Sequence, residues 1–173
     1  MPKSEQGVNR DRYMLIPRTL IFLKRENQVL LLKGAPTKRL WANQYNGVGG
    51  HVERGEDILS SARRELREET GLDSHEISLA GTMVVDASEE VGVCVFVFTA
   101  EYQGGEVRPS PEGELDWIPL DRLDEFPLVA DLRHLLHRLF LSTGVGQPFF
   151  ARSYYDEHDR QIVEFVDQPG SEG

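Results

Sequence analysis

Apolar positions recur along the chain in two rhythms. Residues 13–23 and 28–32 are β-branched or apolar runs separated by the polar turn Lys24-Arg25-Glu26-Asn27, which predicts a hairpin. Residues 77–86 and 91–102, joined by 87–90, predict a second pair that ends at Gly104-Gly105. Residues 114–120, around Trp117, form a shorter strand candidate. Residues 148–155 and 161–166 flank a polar turn at 156–160 and read as a closing hairpin. In two places the period lengthens to that of a helix. Ile58, Leu59, Ala62 and Leu66 make one stripe within 56–70, with Gly71 as the stop. Leu132, Leu135, Leu136 and Leu139 make another within 129–141.

Two helices are too few for a doubly wound parallel sheet, which takes a helix at nearly every crossover. The pattern predicts an α+β chain with a mixed β-sheet packed between helices. It also predicts a single domain over residues 13–166, a flexible polar leader at 1–12 and a flexible tail at 167–173.

Composition narrows the function. The formal charge of -10 counts against a general polyanion binder, so DNA binding is not expected. A small anionic substrate fits that charge only if a cation offsets the local repulsion. Cys94 is the single cysteine, so no internal disulfide forms. Its place in the apolar run 91–98 makes it a buried bystander. No apolar stretch is long enough to span a membrane and residues 1–12 lack a secretory core, which points to the cytoplasm.

The helix predicted at 56–70 carries Glu65, Glu68 and Glu69 at i, i+3 and i+4, so the three carboxylates leave nearly one side of it. Their mutual repulsion is removed by a bound cation, and hard oxygen donors suit Mg²⁺, with Mn²⁺ as substitute. The plain alternative is a solvated face on which they pair with Arg63, Arg64 and Arg67. The glycines just upstream favour a site. In Asn46-Gly47-Val48-Gly49-Gly50 the backbone is free to approach a ligand closely beside that helix.

Gly50, five residues, Glu56, seven residues, then Arg64-Glu65-Leu66-Arg67-Glu68-Glu69-Thr70-Gly71-Leu72 resembles the Nudix box at every fixed position of its 23 residues. The resemblance implies the Nudix fold, an α/β/α sandwich with a mixed sheet, and a box that forms a loop, helix and loop. It implies that Glu65, Glu68 and Glu69 ligate metal, that Glu69 or Glu68 also helps deprotonate water, and that the Gly49 carbonyl completes the metal's inner shell. Glu56 and Arg64 are implied to brace loop against helix. The implied reaction is attack of water on one phosphorus of a nucleoside diphosphate linked to another group. Nudix enzymes often supply one more carboxylate from a later loop. Glu112 is the candidate for that catalytic role and Glu114 the alternative.

Substrate selection lies outside the box. The segment 41–50 resembles that of the MutT-type enzymes acting on oxidised purine nucleoside triphosphates such as 8-oxo-dGTP. Asn46 stands where those enzymes hydrogen-bond the base, although Asn before Gly is also a common turn. They use two adjacent aspartates near the last helix, whereas this chain has Asp131 beside Ala130. His51 replaces the Lys found after the glycines in many of them and is a candidate phosphate contact. His75, His134, His137 and His158 have no zinc-site spacing and read as ordinary surface or core residues. The expected partner is a small nucleotide, and a homodimer is left open. Cleavage of ADP-ribose or a nucleotide sugar is the alternative activity. A non-catalytic nucleotide-sensing module is the alternative of another class, against which the complete set of box carboxylates counts.

Overall fold

The computed structural model describes residues 7, 9, 11–73, 76–143 and 148–166. The leader and tail boundaries and the reading of His75 lie wholly or largely outside these residues. Among the described residues, eight strands form one mixed sheet. They are β1 (Met14–Arg25), β2 (Gln28–Gly34), β3 (Tyr45–Asn46), β4 (Ser78–Val85), β5 (Val91–Glu101), β6 (Gly113–Pro119), β7 (Phe149–Tyr155) and β8 (Gln161–Val166). The order is β3-β2-β1-β5-β4-β7-β8, with β6 on the other side of β2. β1 runs parallel to β5 and β4 parallel to β7, while the remaining pairs are antiparallel.

Helices cover both faces, which is why β1 and β2 read as continuous apolar runs rather than alternating ones. Ile21, Leu23 and Leu30 face α1 (Ile58–Thr70) and bury with its Ala62 and Leu66. Phe22, Val29 and Leu31 point the other way and bury with Leu132, Leu135 and Leu136 of α2 (Leu132–Leu136). The expected α/β/α sandwich is therefore present.

Local chemistry sets the limits of α1. The Asp57 carboxylate caps it by accepting from the Ser60 amide at 2.9 Å, so the helix starts two residues later than the periodicity suggested. Gly71 ends it in the left-handed region, φ 74°, its N–H returning to the Arg67 carbonyl at 2.9 Å. Three readings are corrected. Leu59, assigned to the buried stripe, is exposed, because the sheet meets only the Ala62–Leu66 side. The helix expected over 129–141 is regular only at Leu132–Leu136. It then widens into a π-type turn at His137–Leu141, closed by the Ser142 N–H on the His137 carbonyl at 2.9 Å, with Leu139 and Phe140 still against the core. Cys94 is only half-buried.

The two-residue strand β3 went unpredicted, yet it orders one end of the molecule. The Tyr45 N–H donates to the Pro127 carbonyl at 2.8 Å, and the Val129 N–H donates back to the Tyr45 carbonyl at 3.0 Å. These bonds hold the segment leading into α2 beside Asn46. The Tyr45 hydroxyl donates to Asp116 at 2.7 Å and its ring meets Phe126 edge-on.

Candidate active site

The glycine loop lies along β1. The Ile21 N–H donates to the Val48 carbonyl at 2.7 Å, and the Thr19 N–H to the Gly50 carbonyl at 2.8 Å. So close an approach needs glycine. Gly49 has φ 148°, and a Cβ there would run into the Thr19 carbonyl. A Cβ on Gly50 would meet the Glu65 carboxylate. The same loop holds the helix, since the Gly49 N–H donates to Glu69 Oε2 at 2.8 Å.

Arg64 is the hub of the box. Its Nε and Nη2 grip the two oxygens of Glu56 at 2.7 and 3.0 Å. Its Nη1 donates to Glu65 at 2.8 Å and Glu68 at 3.1 Å, and Nη2 reaches the His51 carbonyl at 3.2 Å. Arg64 holds the Glu56 carboxyl down at about 2, well below its ordinary 4.5.

Glu65, Glu68, Glu69, Gly49, His51 and Glu112 line one open cavity of about 460 Å³. The three box carboxylates do not share one environment, as helical spacing alone suggested. Glu68 is exposed, Glu65 is largely covered and tied to Arg64, and Glu69 is buried. Burial pushes the Glu69 carboxyl up to about 7. The Gly49 N–H opposes this, while the neighbouring charges of Glu65 and Glu112 reinforce it. Glu112 arrives on the loop ahead of β6 and pairs with Lys38 Nζ at 2.5 Å. Glu114 lies within β6 opposite Lys33 and is not among the lining residues. His51 is exposed at the rim.

Among the described residues, no three His, Cys, Asp or Glu side chains converge into a ready metal cluster. As placed, the Arg64 guanidinium stands between Glu65 and Glu68. The donor set nonetheless fits a hard divalent cation: carboxylate oxygens from one helix face and a facing loop, one of them buried without an ion-pair partner. Glu65, Glu68 and Glu69 are the side chains that would supply those donors, with Glu65 and Glu68 turned away from Arg64.

A second pocket, of about 300 Å³, opens on the α2 face. Leu20, Met83, Val85, Val93 and Val95 give it apolar walls, and Asn46, Asp131 and Gln161 supply the polar groups. Asn46 Oδ1 accepts from the Gly47 N–H at 2.8 Å, so the turn occupies its acceptor and leaves the Nδ2 donor for a ligand. Burial raises the Asp131 carboxyl, partly offset by backbone hydrogen bonding, His134 and Gln161. A small cleft lined by Arg18, Trp41, Asn46, Gly49 and Glu69 shares Trp41 and Asn46 with this pocket, Gly49 and Glu69 with the acidic cavity, and Arg18 with both.

Sequence reasoning missed Arg18, Lys38, Tyr155 and Gln161. Arg18 carried a signal, a charge interrupting the apolar run 13–23. Gln161 and Tyr155 carried none, because a polar residue in an edge hairpin looks the same whether it faces water or a pocket.

The sequence model of the NUDIX domain matches residues 14–139. Among curated relatives, the oxidized purine nucleoside triphosphate hydrolase of Danio rerio is 32% identical over 114 residues, 65% of this chain and 72% of that protein. The NAD-capped RNA hydrolase NudC of Stutzerimonas stutzeri is 30% identical over 136 residues, 78% of this chain and 47% of that protein. The chain thus spans about half the length of the NAD-capped RNA hydrolase. Among solved structures, the MutT protein from Bacillus halodurans superposes with a TM-score of 0.70 at 26% identity, covering 90% of this chain and 100% of that one. The box, the sandwich that carries it and these relatives agree: the chain belongs to the Nudix hydrolase family.

Proposed function

We propose that the protein is a Mg²⁺-dependent pyrophosphohydrolase that cuts nucleoside triphosphates, oxidised purine forms such as 8-oxo-dGTP among them, to monophosphate and pyrophosphate. One observation carries this reading: a small cleft shares its walls both with a base-sized apolar pocket that has polar readers and with a cavity lined by five carboxylates. The base enters the pocket beside Asn46 and Asp131, and the phosphates run towards Glu65, Glu68 and Glu69. A bound Mg²⁺ supplies charge stabilisation at the reacting phosphorus and makes water more acidic. Water oxygen adds to one phosphorus, the bridging P–O bond breaks, and a carboxylate accepts the water proton. Glu69, raised by burial, suits that acceptance, with Glu68 and Glu112 as the other candidates. The Gly49 carbonyl is read as a further oxygen donor and His51 as a phosphate contact at the rim. Lone Cys94 and the absence, among the described residues, of a helix long and apolar enough to cross a membrane accord with a cytoplasmic place.

The test is a hydrolysis panel of ordinary and oxidised nucleoside triphosphates, ADP-ribose, NAD and NAD-capped RNA, with Mg²⁺ and with chelator. Triphosphates should turn over fastest, and chelator should remove the activity. Preferred cleavage of NAD or its capped RNA would move the substrate to the chemistry named for the bacterial relative. No cleavage of any compound would favour a nucleotide sensor.

Base reading has its own test. Asp131→Asn should lower kcat/KM for the preferred base about 10- to 100-fold relative to the others, because the carboxyl and amide differ in what they donate and accept. An equal fall for all bases would assign Asp131 to the support of α2.

A further inference from the structure

Arg18 lines all three spaces just described: the apolar pocket, the acidic cavity and the cleft between them. It stands in β1 on the α2 face, in register with Leu20 and Phe22. Its guanidinium carbon lies 5.5 Å from the centre of the Trp41 ring, at cation–π range. Its Nε is buried and has no hydrogen-bond partner, and among the described residues it forms no ion pair. Burial works against its charge, and Glu65 and Glu69 support that charge from across the cleft. A buried N–H without an acceptor is costly to maintain, and such groups persist where a ligand completes them.

The other cation at this place is already engaged, since Lys38 pairs with Glu112. An arginine fork also suits a phosphate better than a point charge, because two N–H groups can meet two oxygens. We propose that Arg18 binds the phosphate adjoining the nucleoside, at the joint between the base pocket and the acidic cavity. The proposal rests on the pyrophosphohydrolase reading above. Trp41 backs the guanidinium, and the substrate supplies the acceptor that Nε lacks. Arg18 thereby sets how far the reacting phosphorus lies from the base.

The experiment uses the full chain in the presence of chelator, so that phosphate binding does not run through a metal. Calorimetric titration compares a nucleoside with its 5′-monophosphate, using the base whose triphosphate turns over fastest. The proteins are wild type, Arg18→Met and Arg18→Lys. Wild type should bind the monophosphate about 10- to 100-fold more tightly than the nucleoside, the range of a charge-assisted contact. Arg18→Met should erase that preference and leave nucleoside affinity within about twofold, well under the tenfold of one such contact. Arg18→Lys should recover part of the preference, because it keeps the charge and loses the fork.

Equal weakening of nucleoside and monophosphate would overturn the proposal and make Arg18 a support for Trp41. So would an unchanged preference in Arg18→Met, or a wild type without one. Thermal unfolding checks each fold, and should Arg18→Met fail to fold, Arg18→Lys decides alone. Wild type that hydrolyses nothing in the panel sinks the pyrophosphohydrolase reading. Wild type that hydrolyses nucleotides while Arg18→Met keeps the preference sinks only the assignment of Arg18.

Discussion

Glu69→Gln should abolish turnover while the chain stays folded. The residue is buried, and its Oε2 takes the Gly49 N–H at 2.8 Å, a bond that a glutamine carbonyl oxygen can also accept. What the amide lacks is negative charge and the capacity to take a proton. A fall in kcat of about 10²- to 10⁴-fold is expected from loss of a proton acceptor, and loss of a metal ligand adds to it. Stability should move the opposite way in metal-free protein. Because the folded carboxyl is raised to about 7 from 4.5, ionising it opposes folding, and stability is lost as pH rises through that interval. At pH 8 with chelator, Glu69→Gln should therefore be more stable than wild type by about 1 to 3 kcal/mol. Adding Mg²⁺ should raise the unfolding midpoint of wild type and scarcely move that of the variant. Hydrolysis at the wild-type rate would remove Glu69 from the reaction.

Arg64→Met should cost both stability and activity. One guanidinium ties Glu56 at the loop to Glu65 and Glu68 on the helix and to the His51 carbonyl, so its removal leaves three carboxylates without their partner. Because the cluster is only partly covered, the expected loss of stability is about 1 to 3 kcal/mol, below that of a fully buried pair. Activity should fall about 10- to 100-fold through misplacement of Glu65 and Glu68. The pH dependence of the difference identifies the Glu56 contact. A carboxylate held at about 2 when folded and titrating near 4.5 when unfolded stabilises fully above 4.5. That contribution fades as pH falls towards 2. The gap between the unfolding midpoints of wild type and variant should be constant from pH 7 to 5 and narrow below that. A gap that does not change down to pH 3 would place the effect elsewhere than in the Glu56 pair.

The strands and α1 were legible because each is long enough for its period to show and each ends in a definite breaker, such as Gly71 or Gly104. β3 was not, since two residues define no period. Its existence depends on partners at Leu32 and Pro127, far away in sequence. The widened end of α2 was hidden for a related reason: α and π turns place nearly the same leucines inward. In the site, the box residues lie within 23 positions of one another, so spacing alone could group them. The differing burial of Glu65, Glu68 and Glu69 could not be read that way, because it is set by how the glycine loop and the loop carrying Glu112 close over the helix. Arg18 and Gln161 meet the ligand space only through the β1–β5 and β7–β8 pairings.

The wall that Tyr155 and Gln161 give to the apolar pocket comes from the β7–β8 hairpin, beyond the residues 14–139 that the sequence model of the NUDIX domain matches. On the proposed reading, part of the base pocket's wall thus lies on a stretch of chain separate from the carboxylates beside α1, although Asn46 and Asp131 remain within 14–139. On that reading, exchange along β8 should shift which nucleotide is admitted while the carboxylates beside α1 keep their arrangement. The hairpin would then be one place, beside Asn46 and Asp131, at which a new selectivity could be grafted without disturbing those carboxylates.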